Sequence, residues 1–184
     1  MWVPKSVAAL ALGMLVSASA LHAQGAEFSL GGGVDLPLGD FNDVAKLGFH
    51  GLAGVSVVPA NWPVGIQVDG NYSQFSDDTP ADIKFQLIYG TANIVYKFKT
   101  SEESRFRQYL IGGGGVYNFK AKGSGVPSGF DNSETKFGIN AGAGFDFKAG
   151  SAGIFVEGRF HDVFTTGSNT TFIPITVGVH LGGH

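Results

Sequence analysis

Residues 153–164 read GIFVEGRFHDVF. Ile154, Val156, Gly158 and Phe160 alternate with Phe155, Glu157, Arg159 and His161. Successive side chains of a β-strand point to opposite faces, so a carboxylate, a guanidinium and an imidazole project from one side of this segment. The other side is apolar or small. Three such groups on one face form either a reactive cluster or the lining of an enclosed space.

The same period of two recurs along the chain and outcompetes helical spacing in eight segments. Residues 27–36 set Phe28, Leu30, Val34 and Leu36 against Ser29 and Asp35, and residues 47–57 set Leu47, Phe49, Val55 and Val57 against His50 and Ser56. Val64, Ile66, Val68 and Tyr72 alternate with Gln67, Asp69, Asn71 and Ser73. The fourth segment, 83–98, changes phase, from Ile83, Phe85, Leu87 and Tyr89 to Ala92, Ile94, Tyr96 and Phe98; one extra residue near Gly90, a bulge, would produce this. The fifth segment sets Tyr109, Ile111, Tyr117 and Phe119 against Asn118 and glycines. The sixth sets Phe137, Ile139, Phe145 and Phe147 against Lys136, Asn140 and Asp146. The stretch 153–164 is the seventh, and the eighth sets Ile173, Ile175, Val177, Val179 and Leu181 against Thr176 and His180.

One face of every segment is apolar. In a soluble sandwich or a lipocalin-type barrel that face turns inward; in a membrane barrel it turns outward. Three features favour the membrane. No charged residue falls mid-strand on the apolar face, where Lys or Arg costs about 2–4 kcal/mol at the bilayer midplane. Connections after the second, fourth and sixth segments are short, and those after the odd segments are longer and more polar. With odd strands running outward, the aromatics sort into two belts. Phe28, Trp62, Tyr96, Phe98, Tyr109, Phe145 and Phe147 form one, and Tyr72, Phe75, Phe85, Tyr89, Tyr117, Phe119, Phe137, Phe160 and Phe164 the other.

The first residues, with Lys5, the apolar run Val7–Val16 and small residues before a cut after Ala20 or after Ala23, have the layout of a cleavable signal peptide, taken as residues 1–23. Cleavage there leaves residues 24–184 as one domain with 11 basic and 15 acidic residues, which argues against nucleic acid as a partner. The chain has no cysteine, so an exported domain must be held by its core, by sheet closure or by a membrane. Its 29 glycines among 184 residues are about twice the usual share and suit a closed sheet.

The leader, GGGVDLPLGDF (31–41), TANIVYKF (91–98), YLIGGGGVYNF (109–119), FVEGRFH (155–161) and FIPITVGVHL (172–181) together resemble the small eight-stranded outer-membrane β-barrels of the OmpA/OmpX type. The resemblance spans the mature chain and implies an all-β, antiparallel up-and-down transmembrane barrel with both termini periplasmic. It implies contact with outer-membrane lipids and lipopolysaccharide, and delivery by the barrel-assembly machinery. It names no cofactor. The chain departs from the pattern at its end, where Leu181 is followed by Gly182, Gly183 and His184 instead of a terminal aromatic; less efficient insertion is the expectation.

In such a barrel Glu157, Arg159 and His161 face the lumen together with Asp69, Asp146, His50, Asn140 and His180. An eight-stranded lumen is just wide enough for side chains to fill, so the expectation is a salt-bridged plug with Arg159 between Glu157 and either Asp146 or Asp69. The girdle expectation rests on Trp62, Tyr72, Tyr96, Tyr109, Tyr117 and Phe147. A gated pore or small-solute transporter is the alternative. Some barrels of this size modify lipid A with a Ser, a His and an acid; here His161 faces inward and no serine is suitably spaced, so no enzyme is expected. Gly112–Gly115 lacks the Lys-Ser/Thr of a phosphate loop, and Asp131, Asn132 and Glu134 lack the spacing of a calcium loop. Any surface ligand falls to the longest connection, 120–135.

Overall fold

The computed structural model describes residues 26–43, 45–59, 62–76, 84–101, 104–122, 134–149, 152–165 and 167–182; the leader and the centre of the 120–135 connection lie outside them. Eight strands account for nearly all of these residues: β1 (Ala26–Leu38), β2 (Gly48–Val57), β3 (Val64–Ser76), β4 (Lys84–Lys97), β5 (Phe106–Lys122), β6 (Glu134–Ala149), β7 (Ala152–Val163) and β8 (Thr170–Gly182). Each pairs antiparallel with its sequence neighbours, and β8 closes on β1. Closure leaves no sheet edge, the condition for crossing lipid with strands. The strands continue further into the long connections than the sequence suggests, as in β5, which pairs on to Lys122.

The register fixes the barrel's shape. Followed across the ladders, Glu27 pairs with Ser56, then Gln67, Asn93, Gly113, Asn140, His161 and Phe172, and returns to β1 at Pro37. That displacement around eight strands corresponds to a strand tilt of roughly 40°. The pleat then dictates the two faces. Leu30, Phe49, Ile66, Val68, Ile94, Val116, Ile139, Phe160 and Val177 point outward and are exposed. Ser29, His50, Asp69, Asn93, Asn140, Glu157 and Thr176 point inward and are buried. Among the described residues no charged side chain points outward between the two rims. Burial is therefore inverted relative to a soluble protein, as a hydrocarbon solvent requires.

Two strands differ from the expected pattern. β4 has no bulge: its pairing with β3 and with β5 runs without interruption from Lys84 to Lys97. Leu87 and Tyr89 are buried in the lumen while Ile88 and Ile94 face out. β5 is turned over relative to the expectation, with Tyr109, Ile111 and Tyr117 buried inside and Leu110 and Val116 exposed outside. Tyr109 and Tyr117 are thus not girdle residues, and Phe75, assigned to the outer belt, is also buried inside. Trp62, Tyr72, Tyr96 and Phe147 are exposed. At the short-turn rim Trp62, Tyr96 and Phe147 are joined by Phe106, whose ring stacks on Phe145 at 5.2 Å and lies tilted to Phe147 at 5.0 Å. The belt at the other rim consists of Phe49, Tyr72, Phe137, Phe160 and Phe164.

Glycine on the inner face has a packing role. Gly144 lies directly across the ladder from Tyr109, and a Cβ there would come within 2.3 Å of the tyrosine ring. Gly54 faces Asp69 and Gly142 faces Arg159 in the same way, with a Cβ 2.3 Å from Asp69 Oδ1 and 2.8 Å from Arg159 Cγ. Large inward side chains lie over glycines of the next strand, which is how a narrow lumen accommodates them.

Candidate functional site

The inward residues form three tiers along the lumen. At the short-turn end, Lys97 Nζ lies 3.1 Å from Glu27 Oε1 and 3.8 Å from Asp146 Oδ2. His180 Nε2 is 3.1 Å from Asp146 Oδ1, its Nδ1 is 2.9 Å from Ser29 Oγ, and its ring stacks on Phe155 at 4.3 Å. Glu27, Lys97, Asp146 and His180 line a cavity of about 320 Å³ that opens at the mouth.

The middle tier centres on Arg159. Its Nε donates to Glu157 Oε1 at 2.5 Å and its Nη1 to Asp69 Oδ2 at 2.6 Å. Tyr109 donates to the second Glu157 oxygen at 2.9 Å, while Gln67 and Asn93 each donate to Asp69 at 2.9 Å. Asn140 extends the chain by donating to Asn93 Oδ1 at 2.9 Å. Two buried carboxylates are thereby matched by one guanidinium and a shell of neutral donors, the arrangement that makes buried charge tolerable. Beside it, His50 Nδ1 is 2.9 Å from Asp35 Oδ1 and Nε2 is 2.9 Å from Thr176 Oγ1.

The third tier is aromatic. Tyr89 stacks on Tyr117 at 5.0 Å, Tyr117 shares a 2.8 Å hydrogen bond with His161 Nδ1, and His161 stacks on Phe172 at 4.8 Å. Phe75, Leu87 and Val163 fill the space around them. The lid comes from the β1–β2 connection. Gly39, at φ 54°, turns the chain into a short 3-10 turn, Gly39–Asp43, and Phe41 from that turn meets Phe75 edge-on at 5.0 Å. Ala45 N–H donates to the Phe41 carbonyl and seats the connection over the opening.

Of the expected lumen residues, Glu157, Arg159, Asp69 and Asn140 form one connected network, with Asp69 the second partner of Arg159. Asp146 and His180 belong to the mouth, His50 pairs with Asp35 and Thr176, and His161 belongs to the aromatic tier. Sequence reasoning missed Glu27 and Lys97, although both share the inner phase of Ser29 and Asn93. It also missed Tyr109 as a ligand of Glu157.

Two rows, Ser29–His180–Asp146 and Thr176–His50–Asp35, carry the hydroxyl, imidazole and carboxylate of a hydrolase relay. Acyl transfer also needs a space about 3 Å from the nucleophile where a reacting carbonyl can sit. Ser29 and Thr176 are each 2% exposed and face neighbouring side chains, so these hydroxyls act as hydrogen-bond partners of buried imidazoles.

A closed, eight-stranded antiparallel barrel that is apolar outside and polar inside defines an outer-membrane barrel. The family model for the outer membrane protein beta-barrel domain matches residues 8–181, and the chain belongs to that family. It is a protein of the bacterial outer membrane. Among solved structures it is similar to Neisserial surface protein A, at 14% identity over 86% of this chain and 97% of that one, with a TM-score of 0.68. It is also similar to Ail, the attachment invasion locus protein of Yersinia pestis, solved with the heparin analogue sucrose octasulfate (16% identity, 85% and 97% coverage, TM-score 0.55). A third similar structure is the outer membrane enzyme PagL (16% identity, 85% and 99% coverage, TM-score 0.51). At these identities the similarity is one of fold. No curated protein matches the sequence significantly.

Proposed function

We propose that the chain is a structural, surface-interacting outer-membrane protein whose lumen is closed and which carries no turnover chemistry. The supporting observation is the continuity of the Arg159 network with the aromatic tier above it. Glu157, Arg159 and His161 are all at most 3% exposed, and the Phe41 lid lies beyond them. Opening a path would separate buried charges from their partners, which is costly in low dielectric. His161, the candidate base of an enzymatic reading, is committed to Tyr117 and Phe172 inside the barrel, out of reach of lipid. In this reading the short turns and both termini are periplasmic, following a signal peptide cleaved after Ala23 and insertion by the assembly machinery. The long connections face outward among lipopolysaccharide, and 120–135 is the segment offered to a surface ligand.

A narrow pore is the second reading, favoured by the mouth cavity, which reaches as far as Glu27 and Asp146. Proteoliposome swelling separates the two. The closed reading expects no uptake of glycine or small sugars by the intact protein, and uptake only when Arg159→Ala is combined with Phe41→Ala. Uptake by the unmodified chain at porin-like rates overturns it.

A further inference from the structure

The cations of the short-turn end have no part in closing the lumen, and two pockets meet among them. The lumen mouth is bordered by Lys97, Arg105, Arg107 and Lys148 above its floor of Glu27, Asp146 and His180. The second pocket, about 270 Å³, is lined by Lys97, Lys99 and Arg107 and by Trp62 and Phe98 of the lipid-facing belt. Lys97 and Arg107 belong to both, so one basic groove runs from the membrane edge to the mouth. The two carboxylates of the floor are engaged by Lys97 and His180. Lys99, Arg105, Arg107 and Lys148 are exposed, and none makes an ion pair among the described residues. Arg107 stands opposite Asp146 on the β5–β6 ladder without pairing to it.

We propose that this groove seats the phosphate of an anionic phospholipid from the leaflet at the short-turn end. Two guanidiniums match phosphate oxygens in bidentate fashion and the lysines add point charges. Trp62 and Phe98 sit where interfacial aromatics contact the headgroup region and the upper acyl chain. The pocket that opens onto this belt selects a membrane-borne phosphate over a soluble one, which would use the mouth alone. Glu102 and Glu103 of the same turn lie outside the described residues, so the test uses the intact chain.

The measurement is native mass spectrometry of the detergent-refolded mature chain with equimolar phosphatidylglycerol and phosphatidylethanolamine. The intact chain retains phosphatidylglycerol, and R105Q/R107Q/K148Q retains it at least about tenfold less, given roughly one tenfold-scale increment or less per surface cation. K120Q, at the other end, leaves retention unchanged, and heat-dependent gel mobility verifies that each variant is folded. W62A/F98A weakens lipid retention while leaving any inorganic phosphate binding intact. Equal retention by the triple variant overturns the proposal. So does full displacement of lipid by millimolar inorganic phosphate with W62A/F98A silent, which assigns the groove to soluble phosphates. A conducting lumen would overturn the closed reading and leave this lipid measurement as it stands.

Discussion

Arg159 holds two carboxylates that would otherwise share a buried space uncompensated: Glu157 from its own strand and Asp69 from β3. Removing one partner of a buried ion set strands the remaining charge and costs about 3–5 kcal/mol. Arg159→Ala is therefore expected to lose stability of that order in urea unfolding of the folded barrel, followed by gel mobility. Adding Asp69→Asn and Glu157→Gln to the same chain should recover much of the loss, because the stranded charges go with their partner. A second residue-scale expectation concerns Gly144. Its side-chain position is occupied by the Tyr109 ring, so Gly144→Val should cost about 1–3 kcal/mol by overpacking, and Tyr109→Ala in the same chain should relieve it. If the two changes simply add, the ring does not rest on that glycine.

At the scale of the strand, β4 and β5 show where the sequence stops being legible. Six strands display their faces directly, because an apolar outside alternates with a polar or glycine inside. The contrast disappears wherever the aromatic tier begins. Leu87, Ile88 and Tyr89 are apolar on both faces of β4, since the lumen there is lined by Phe75, Tyr117 and Phe172. The outer face of β5 offers mainly Leu110 and Val116, separated by the small Gly112 and Gly114, so the bulkier inner Tyr109 and Tyr117 mimic a lipid face. The signal that resolves the phase is the unbroken alternation that a ladder without a bulge imposes. The absence of cysteine makes the test clean. A fluorophore on a single cysteine at Ile88 should be quenched by a lipid-borne quencher, whereas cysteines at Leu87 and Tyr89 should resist labelling in the folded protein. Quenching at 87 or 89 with none at 88 would restore the bulge and reverse the strand.

For the whole molecule, strand number, closure and the inverted distribution of polarity were readable, because the bilayer imposes one rule on every outward position. The inward phase of Asp69, Asn140, Glu157, Arg159 and His161 was readable from alternation, whereas Glu27, Lys97, Tyr109 and Tyr117 were not placed in the lumen. The lumen's division into tiers was not readable either, since which carboxylate reaches Arg159 depends on strand tilt and register: Asp69 reaches Arg159 across the lumen from β3, four strands away around the barrel, while Asp146, on the adjacent strand, is drawn down to Lys97 and His180. The Phe41 lid was hidden for a different reason, as it comes from a connection with no strand periodicity. A lumen filled in this way is a core in its own right, and the proposed surface-interacting role rests on its being closed to solutes. The most direct measurement is single-channel recording of the refolded mature chain in a planar bilayer. A packed lumen predicts a quiet baseline for the intact protein. Discrete openings of reproducible size that change when Arg159 or Glu157 is replaced would contradict it.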